Sequence, residues 1–324
     1  MEEQGRPLIS ILMAIYEPRM DWLREQLDSL EAQTYPNLRL YIRDDCSPTA
    51  PFEEIEGCVR ECIRSFPYEI YRNEENLGSN LTFERLTREA EGDYFAYCDQ
   101  DDVWLPEKLE VLQKELEAGG ALLACSDMYI IDGEGRQRAD SITKVRRRHV
   151  FHSGYGLAED LLVSNFVTGC TMLVRSGAAK AAAPFCPYMV HDHYIALCCS
   201  KAGEIRSVMR PLIRYRIHGG NQSAVMAGVR DKASYGEVRI NAMVKRFQWL
   251  GKHFPYREGL EEEIGRRLEW MLARQSNWRE RRGRGTVWKY RRFSLSASVF
   301  ELAAVYFPER IFLLSVDLNR KNLI

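Results

Sequence analysis

Apolar and polar positions in the N-terminal part of the chain alternate between two periods. Residues 8–16 form an almost unbroken apolar run, as expected of a strand buried on both faces. Met20, Leu23, Leu27 and Leu30 then recur at spacings of three and four, which predicts an amphipathic helix. Residues 38–42 alternate like a strand and stop at Asp44-Asp45, and residues 68–71 predict a short third strand. The turn Asn76-Leu77-Gly78-Ser79 follows, then a helix marked by Phe83, Leu86 and Ala90, then a fourth strand at 94–98. Pro106 suits the first turn of a further helix with the buried stripe Leu109, Leu112 and Leu116. Residues 122–131 and 167–174 predict two more strands, the second returning to the sheet. Such β-α-β-α alternation argues for a mostly parallel sheet covered by helices.

The pattern changes beyond about residue 225. Ile240, Val244, Phe247 and Leu250 form one helical stripe, and Leu260, Ile264, Leu268 and Met271 another. Between Arg274 and Arg292 eight basic residues face one acid, Glu280, interleaved with Trp278, Trp288 and Tyr290. A serine-spaced apolar segment, 293–307, follows. A basic loop at 144–149 is expected to be mobile, and Gly219-Gly220-Asn221 to be a flexible turn.

Composition narrows the class. The 324 residues are 45% hydrophobic and 28% charged with a formal net charge of −1, which fits a globular protein and excludes a globally basic one. Nine cysteines, an odd number without a C-x-x-C pair, suggest free thiols in a reducing compartment. The N-terminus lacks the apolar core of a signal peptide, and no apolar run reaches the ~20 residues of a membrane span. Neither a P-loop nor a G-x-G-x-x-G fingerprint is present, which disfavours a P-loop ATPase or an ordinary NAD enzyme.

Three predicted strands finish in polar residues: Tyr16-Glu17, Asp44-Asp45, and Asp99-Gln100-Asp101-Asp102. In a parallel sheet these carboxyl ends share one edge, where open α/β folds bind ligands. Clustered carboxylates are hard ligands suited to holding Mg²⁺ or Mn²⁺ against phosphates. Taken alone, each acid could instead cap a turn or a helix.

Several motifs occur in order: Ala14-Ile15-Tyr16-Glu17, Gln33-Thr34-Tyr35-Pro36-Asn37, Asp44-Asp45-Cys46-Ser47, Asn76-x-Gly78, Asp99-Gln100-Asp101-Asp102-Val103-Trp104-x-Pro106-x-Lys108 and His191-Asp192. Together they resemble family-2 inverting glycosyltransferases of the GT-A fold, especially the bacterial rhamnosyltransferase-like branch, over roughly residues 7–223. The resemblance implies a GT-A catalytic domain at 1–224 with a helical region at 225–324. The nucleotide-sugar half would be about 7–125 and the acceptor half about 126–224.

The resemblance also assigns roles. Asp192 would be the catalytic base, and Asp99 and Asp101 would hold Mn²⁺ or Mg²⁺ with His218 reaching back to that site. Ala14, Tyr16, Glu17, Asp45, Asn76, Gly78 and Asp102 would contact the donor, Asp45 through the N3–H of a pyrimidine base. Trp104, Thr168, Gly169 and His191 would lie on the acceptor side. Arg214 and Arg216 could neutralise phosphates or pair with surface acids. The implied donor is dTDP-β-L-rhamnose, with UDP-hexose or UDP-galactofuranose as the alternative. A saccharide or polyprenyl-linked saccharide of a bacterial surface polysaccharide would be the acceptor. A noncatalytic nucleotide-sugar-binding protein would keep the fold without needing Asp192.

The basic-aromatic tail admits peripheral contact with the inner face of the cell membrane, or packing on protein, with a homodimer left open. Nucleic acid is not an expected partner, and the expected location is cytoplasmic.

Overall fold

The computed structural model describes residues 5–146, 149–218 and 228–320. The expected turn Gly219-Gly220-Asn221, the boundary near Val225, and Arg147 and Arg148 of the basic loop lie outside these residues. The chain divides into two compact units, Met1–Phe185 with Met189–His218, and Cys186–Tyr188 with Gly219–Ile324.

The first unit opens with β1 (Ile9–Ile15), α1 (Met20–Glu31), β2 (Leu38–Asp44), α2 (Phe52–Cys62), β3 (Tyr68–Arg72), α3 (Ser79–Glu89) and β4 (Tyr94–Cys98). After it come β5 (Val103–Trp104), α4 (Lys108–Gly119), β6 (Leu123–Ile131), β7 (Gln137–Ala139), β8 (Met172–Arg175), the helix His191–Ala202 and β9 (Ile205–Arg216). The sheet order is β3-β2-β1-β4-β8-β6-β9-β5, with β7 paired to β6. Strands β1 to β4 are mutually parallel, β8 runs antiparallel between β4 and β6, and β9 is parallel to β6.

Side-chain alternation divides the sheet between two cores. Tyr94, Ala96 and Cys98 of β4 join the cluster that contains Leu23, Leu27 and Leu30 of α1, Ile55 and Val59 of α2, and Leu109, Leu112 and Leu116 of α4. On the other face Tyr97 meets Phe83 of α3 and His191, with ring centroids 5.6 and 5.3 Å away. The Gln33-Thr34 pair pins the chain after the acidic segment. Gln33 Nε2 donates to Leu105 O at 2.9 Å and Thr34 N–H to Pro106 O at 2.9 Å.

Two strand expectations need correction. Residues 167–174 are not one strand: Gly169–Thr171 forms a 3₁₀ turn, closed by the Thr171 N–H and hydroxyl on Thr168 O, and only β8 enters the sheet. Strand β9 was not foreseen, because its exposed Met209 and Arg210, Pro211 and register irregularities obscure a period of two.

The second unit is helical, with Ala242–His253, Glu261–Glu280, Leu295–Ala304 and Glu309–Arg320 as its longer helices. Ile240, Val244, Phe247 and Leu250 are buried as their spacing predicts. Val229, Tyr235, Ile240, Ala304, Phe312 and Val316 form a core of their own. The nine cysteines form no disulfide among the described residues. Among the described residues no helix is long and apolar enough to cross a membrane.

Candidate active site

Strands β2, β1 and β4 lie side by side and parallel, so their polar carboxyl-terminal extensions reach one edge. Ala14 is half-buried and Tyr16 exposed. Gln100 clasps Tyr16 by its backbone: Tyr16 N–H donates to Gln100 Oε1 at 2.8 Å and Gln100 Nε2 donates to Tyr16 O at 3.0 Å. That clasp ties the end of β1 to the acidic segment.

Asp44 organises the neighbouring turn rather than a ligand site. Its Oδ1 accepts Ser47 Oγ at 2.5 Å, Arg72 Nε lies 3.3 Å from its Oδ2, and Ser47 Oγ in turn accepts Glu17 N–H at 2.8 Å. Glu17 is held at φ 45°, in the left-handed region. Its carboxylate accepts from Thr49 and Ala50, and the Thr49 hydroxyl chiefly holds it below the usual carboxylate range. Glu17 therefore shapes the turn, its carboxylate tethered to residues 49 and 50.

Asp45 is buried, with Oδ1 accepting Asn73 Nδ2 at 2.9 Å and Leu77 N–H at 2.8 Å. Among the described residues its Oδ2 accepts only the Gly78 N–H, at 2.8 Å, leaving acceptor capacity on that oxygen. Gly78, at φ 78°, takes a conformation glycine adopts without strain, and Asn76 Oδ1 caps it at 3.1 Å.

In the acidic segment, Asp101 Oδ2 lies 2.6 Å from His218 Nε2, although the two residues are far apart in sequence. Asp99 is pushed up to about 7, first by burial and then by the charges of Asp101 and Asp192. Asp102 is wholly buried: Oδ1 accepts Arg216 N–H at 2.9 Å, and Oδ2 has no conventional hydrogen-bond partner. Its expected donor contact is corrected to an internal one, because solvent and ligand cannot reach it. Trp104 is corrected likewise. Its ring is buried in the core with Lys108 Nζ 2.9 Å from the ring centroid, so it cannot face an acceptor.

One oxygen each from Asp99 and Asp102 and the sulfur of Cys170 lie within 4.8 Å of one another. A hard cation favours oxygen ligands, and burial pushes the Cys170 thiol well up, so it stays protonated. The half-buried Asp99 and Asp101, with His218 against Asp101, are the better match to Mn²⁺ or Mg²⁺.

Asp192 sits in the first turn of the helix His191–Ala202. Its Oδ1 accepts from Asn165 Nδ2 at 3.0 Å and from His193 N–H, while among the described residues Oδ2 accepts only Gly169 N–H, at 2.9 Å. Burial lifts it to about 6, opposed by the hydrogen bonds from Gly169, His193 and Asn165 and then by the charge of Arg146. Gly169 has a steric reason to lack a side chain, since a Cβ there would come within 2.7 Å of His191 Nε2. Thr168 is half-buried beside it. His191 itself turns inward, its ring 4.1 Å from Phe83, and burial lowers it to about 3. The expected acceptor-side His191 is therefore a neutral packing ring behind Gly169.

The family description that matches residues 10–181, more than half of the chain, is glycosyl transferase family 2. The chain belongs to that family. Three curated relatives named as glycosyltransferases are spanned only in part by this chain, over 46%, 35% and 60% of their lengths. One is a putative teichuronic acid biosynthesis glycosyltransferase, TuaG of Bacillus subtilis, 31% identical over 165 residues, or 51% of this chain and 60% of TuaG.

Among solved structures, S. aureus TarS 1–349 in complex with UDP-GlcNAc superposes with a TM-score of 0.59 at 14% identity, covering 97% of this chain and 92% of that one. Mannosyltransferase PcManGT from Pyrobaculum calidifontis, in complex with GDP-Man and Mn²⁺, gives 0.54 at 13% identity over 98% and 88%. This family-2 chain thus has the α/β GT-A-like fold followed by C-terminal helices.

Sequence reasoning missed several residues that shape this family-2 site. Gln100 and Asn165 orient Tyr16 and Asp192, and Asn73 braces Asp45. Arg216, expected at phosphates or surface acids, is instead almost fully buried, and its Nε donates to Asp101 O at 2.8 Å. It holds the acidic segment by its backbone, whereas Arg214 is exposed. Lys108 Nζ donates to Cys170 O at 2.6 Å beneath the same segment.

Proposed function

We propose that this family-2 protein transfers a sugar from a nucleoside diphosphate to an acceptor hydroxyl with inversion at the anomeric carbon. The observation that carries the reading is the convergence at one sheet edge: His218 on Asp101, and Asp192 on the Gly169 N–H next to Cys170, whose sulfur lies within 4.8 Å of an Asp99 oxygen. Asp192 Oδ2 would take the acceptor proton as the hydroxyl oxygen bonds to the sugar and the bond to the diphosphate breaks. Asn165, His193 and Gly169 orient that carboxylate. Asp45 Oδ2 would accept the imide N–H of a pyrimidine, with Ala14 and Tyr16 lining the base.

Asp99, Asp101 and His218 would hold Mn²⁺ or Mg²⁺, which when bound stabilises the charge on the departing diphosphate. Mn²⁺ in PcManGT supports that cofactor. The resemblance noted in the sequence supports dTDP-β-L-rhamnose as the donor. UDP-GlcNAc in TarS supports a UDP-sugar as the second reading, and TuaG supports a role in surface-polysaccharide synthesis. A panel of dTDP-, UDP- and GDP-sugars with Mn²⁺, scored by release of nucleoside diphosphate, tests this. One donor class should turn over, and a panel without binding or turnover would contradict the reading.

A further inference from the structure

The helix Leu295–Ala304 is amphipathic in the reverse sense. Its inward positions are Ser298, Glu301 and Ala304, all buried. Glu301 is fully enclosed and accepts from Arg274 and, at 2.9 Å, from the Tyr235 hydroxyl. Apart from Ser296 its exposed positions are apolar: Leu295, 59% exposed, Val299, 49% exposed, and Ala303, continued by the exposed Tyr306 in the following turn. Spacings of four, four and three put these on one stripe roughly 16 Å long. The helix Glu309–Arg320 also exposes Ile311 and Leu314. A helix of a globular protein normally turns its polar face outward.

Both ends of the stripe carry arginine. Arg291 and Arg292 precede the Leu295 end, with Arg291 4.6 Å from the exposed Trp288 ring. At the other end Arg281 and Arg284 lie 5.1 and 5.6 Å from the Tyr306 ring. All four arginines are exposed, and no ion pair joins any of them to a described acid.

We propose that this face docks on an anionic phospholipid surface. Leu295 and Val299 would enter the acyl boundary, and the four arginines would sit among headgroup phosphates. A second copy packed on the same face about a twofold axis would oppose arginine rim to arginine rim, so charge complementarity favours lipid. The inference is independent of the sugar-transfer reading, and either can fail alone.

The test is flotation of the full chain with phosphatidylcholine vesicles, with and without phosphatidylglycerol, at low and high salt. Binding should require the anionic lipid and weaken with salt. The pair Arg281→Gln with Arg284→Gln should lower the partition coefficient about tenfold or more. The pair Leu295→Asp with Val299→Asp should abolish flotation with the circular dichroism unchanged, and the Ser pair at the same positions should weaken it. Failure of the wild-type chain to float with anionic vesicles would overturn the proposal. So would equal binding to neutral vesicles, or a wild-type dimer that the Asp pair splits without any vesicle binding.

Discussion

In the helical unit, Glu301 is buried against Arg274 and Tyr235, so the enclosed negative charge meets a matched positive one. At the strand ends of the α/β unit, Asp99, Asp101 and Asp102 crowd together, and what meets Asp101 there is the His218 imidazole, at 2.6 Å, rather than a buried guanidinium. The nearest buried ammonium, Lys108, is lowered to about 7 by burial, and the Arg216 guanidinium is spent on backbone carbonyls and Glu25. A balanced pair of this kind serves packing. On the proposed reading, a surplus of carboxylates at this edge costs the fold stability that a bound cation would return, the usual trade of stability for binding at a functional site.

The largest effect should come from unbalancing the balanced region. Glu301→Ala leaves Arg274 buried and unpaired, which should cost about 3–5 kcal/mol in denaturant unfolding. Replacing both partners, Glu301→Leu with Arg274→Met, should recover most of it. A loss below about 1 kcal/mol for Glu301→Ala would show that the pair is not holding the helices.

Next comes Asp192→Asn, which should lower transfer at least ~100-fold, close to 2.7 kcal/mol of barrier, while donor affinity by calorimetry is unchanged. Asp192 must be ionised to take a proton, and its carboxyl lies at about 6. The wild-type rate should therefore fall as pH drops through about 6, approaching tenfold per unit, with Arg146 and Asp99 as the charged groups that face it. Unchanged turnover in the variant would remove Asp192 from its role.

The smallest effect has the opposite sign. Asp99→Asn relieves repulsion with Asp101 and should stabilise the chelator-treated protein by on the order of 1 kcal/mol, or ~2–4 °C in Tm. A lower Tm would mean that the acids do not strain the fold.

The acidic strand ends were legible because parallel strands deliver their carboxyl termini to one edge, so Asp45 and Asp99 could be placed from apolar runs alone. His218 and Asp192 needed the family resemblance, since no local period distinguishes them from surface and capping residues. Trp104 misled because an aromatic beside acids looks like a binding residue, whereas the two-residue strand β5 turns it into the core. Gln100, Asn165 and the internal role of Arg216 stayed hidden for another reason. Their partners lie across turns or between distant segments, and such contacts leave no hydrophobic pattern. The reversed helix 295–304 was equally unreadable, because its buried face is the polar one.

Calorimetric titration of the nucleotide-sugar donor, with and without Mn²⁺, on the wild type and Asp101→Ala decides whether the crowded acids are a cation site. Tight, Mn²⁺-dependent binding by the wild type, reduced at least ~10-fold in Asp101→Ala, is expected. Equal donor affinity with and without the metal, and in both proteins, would contradict it.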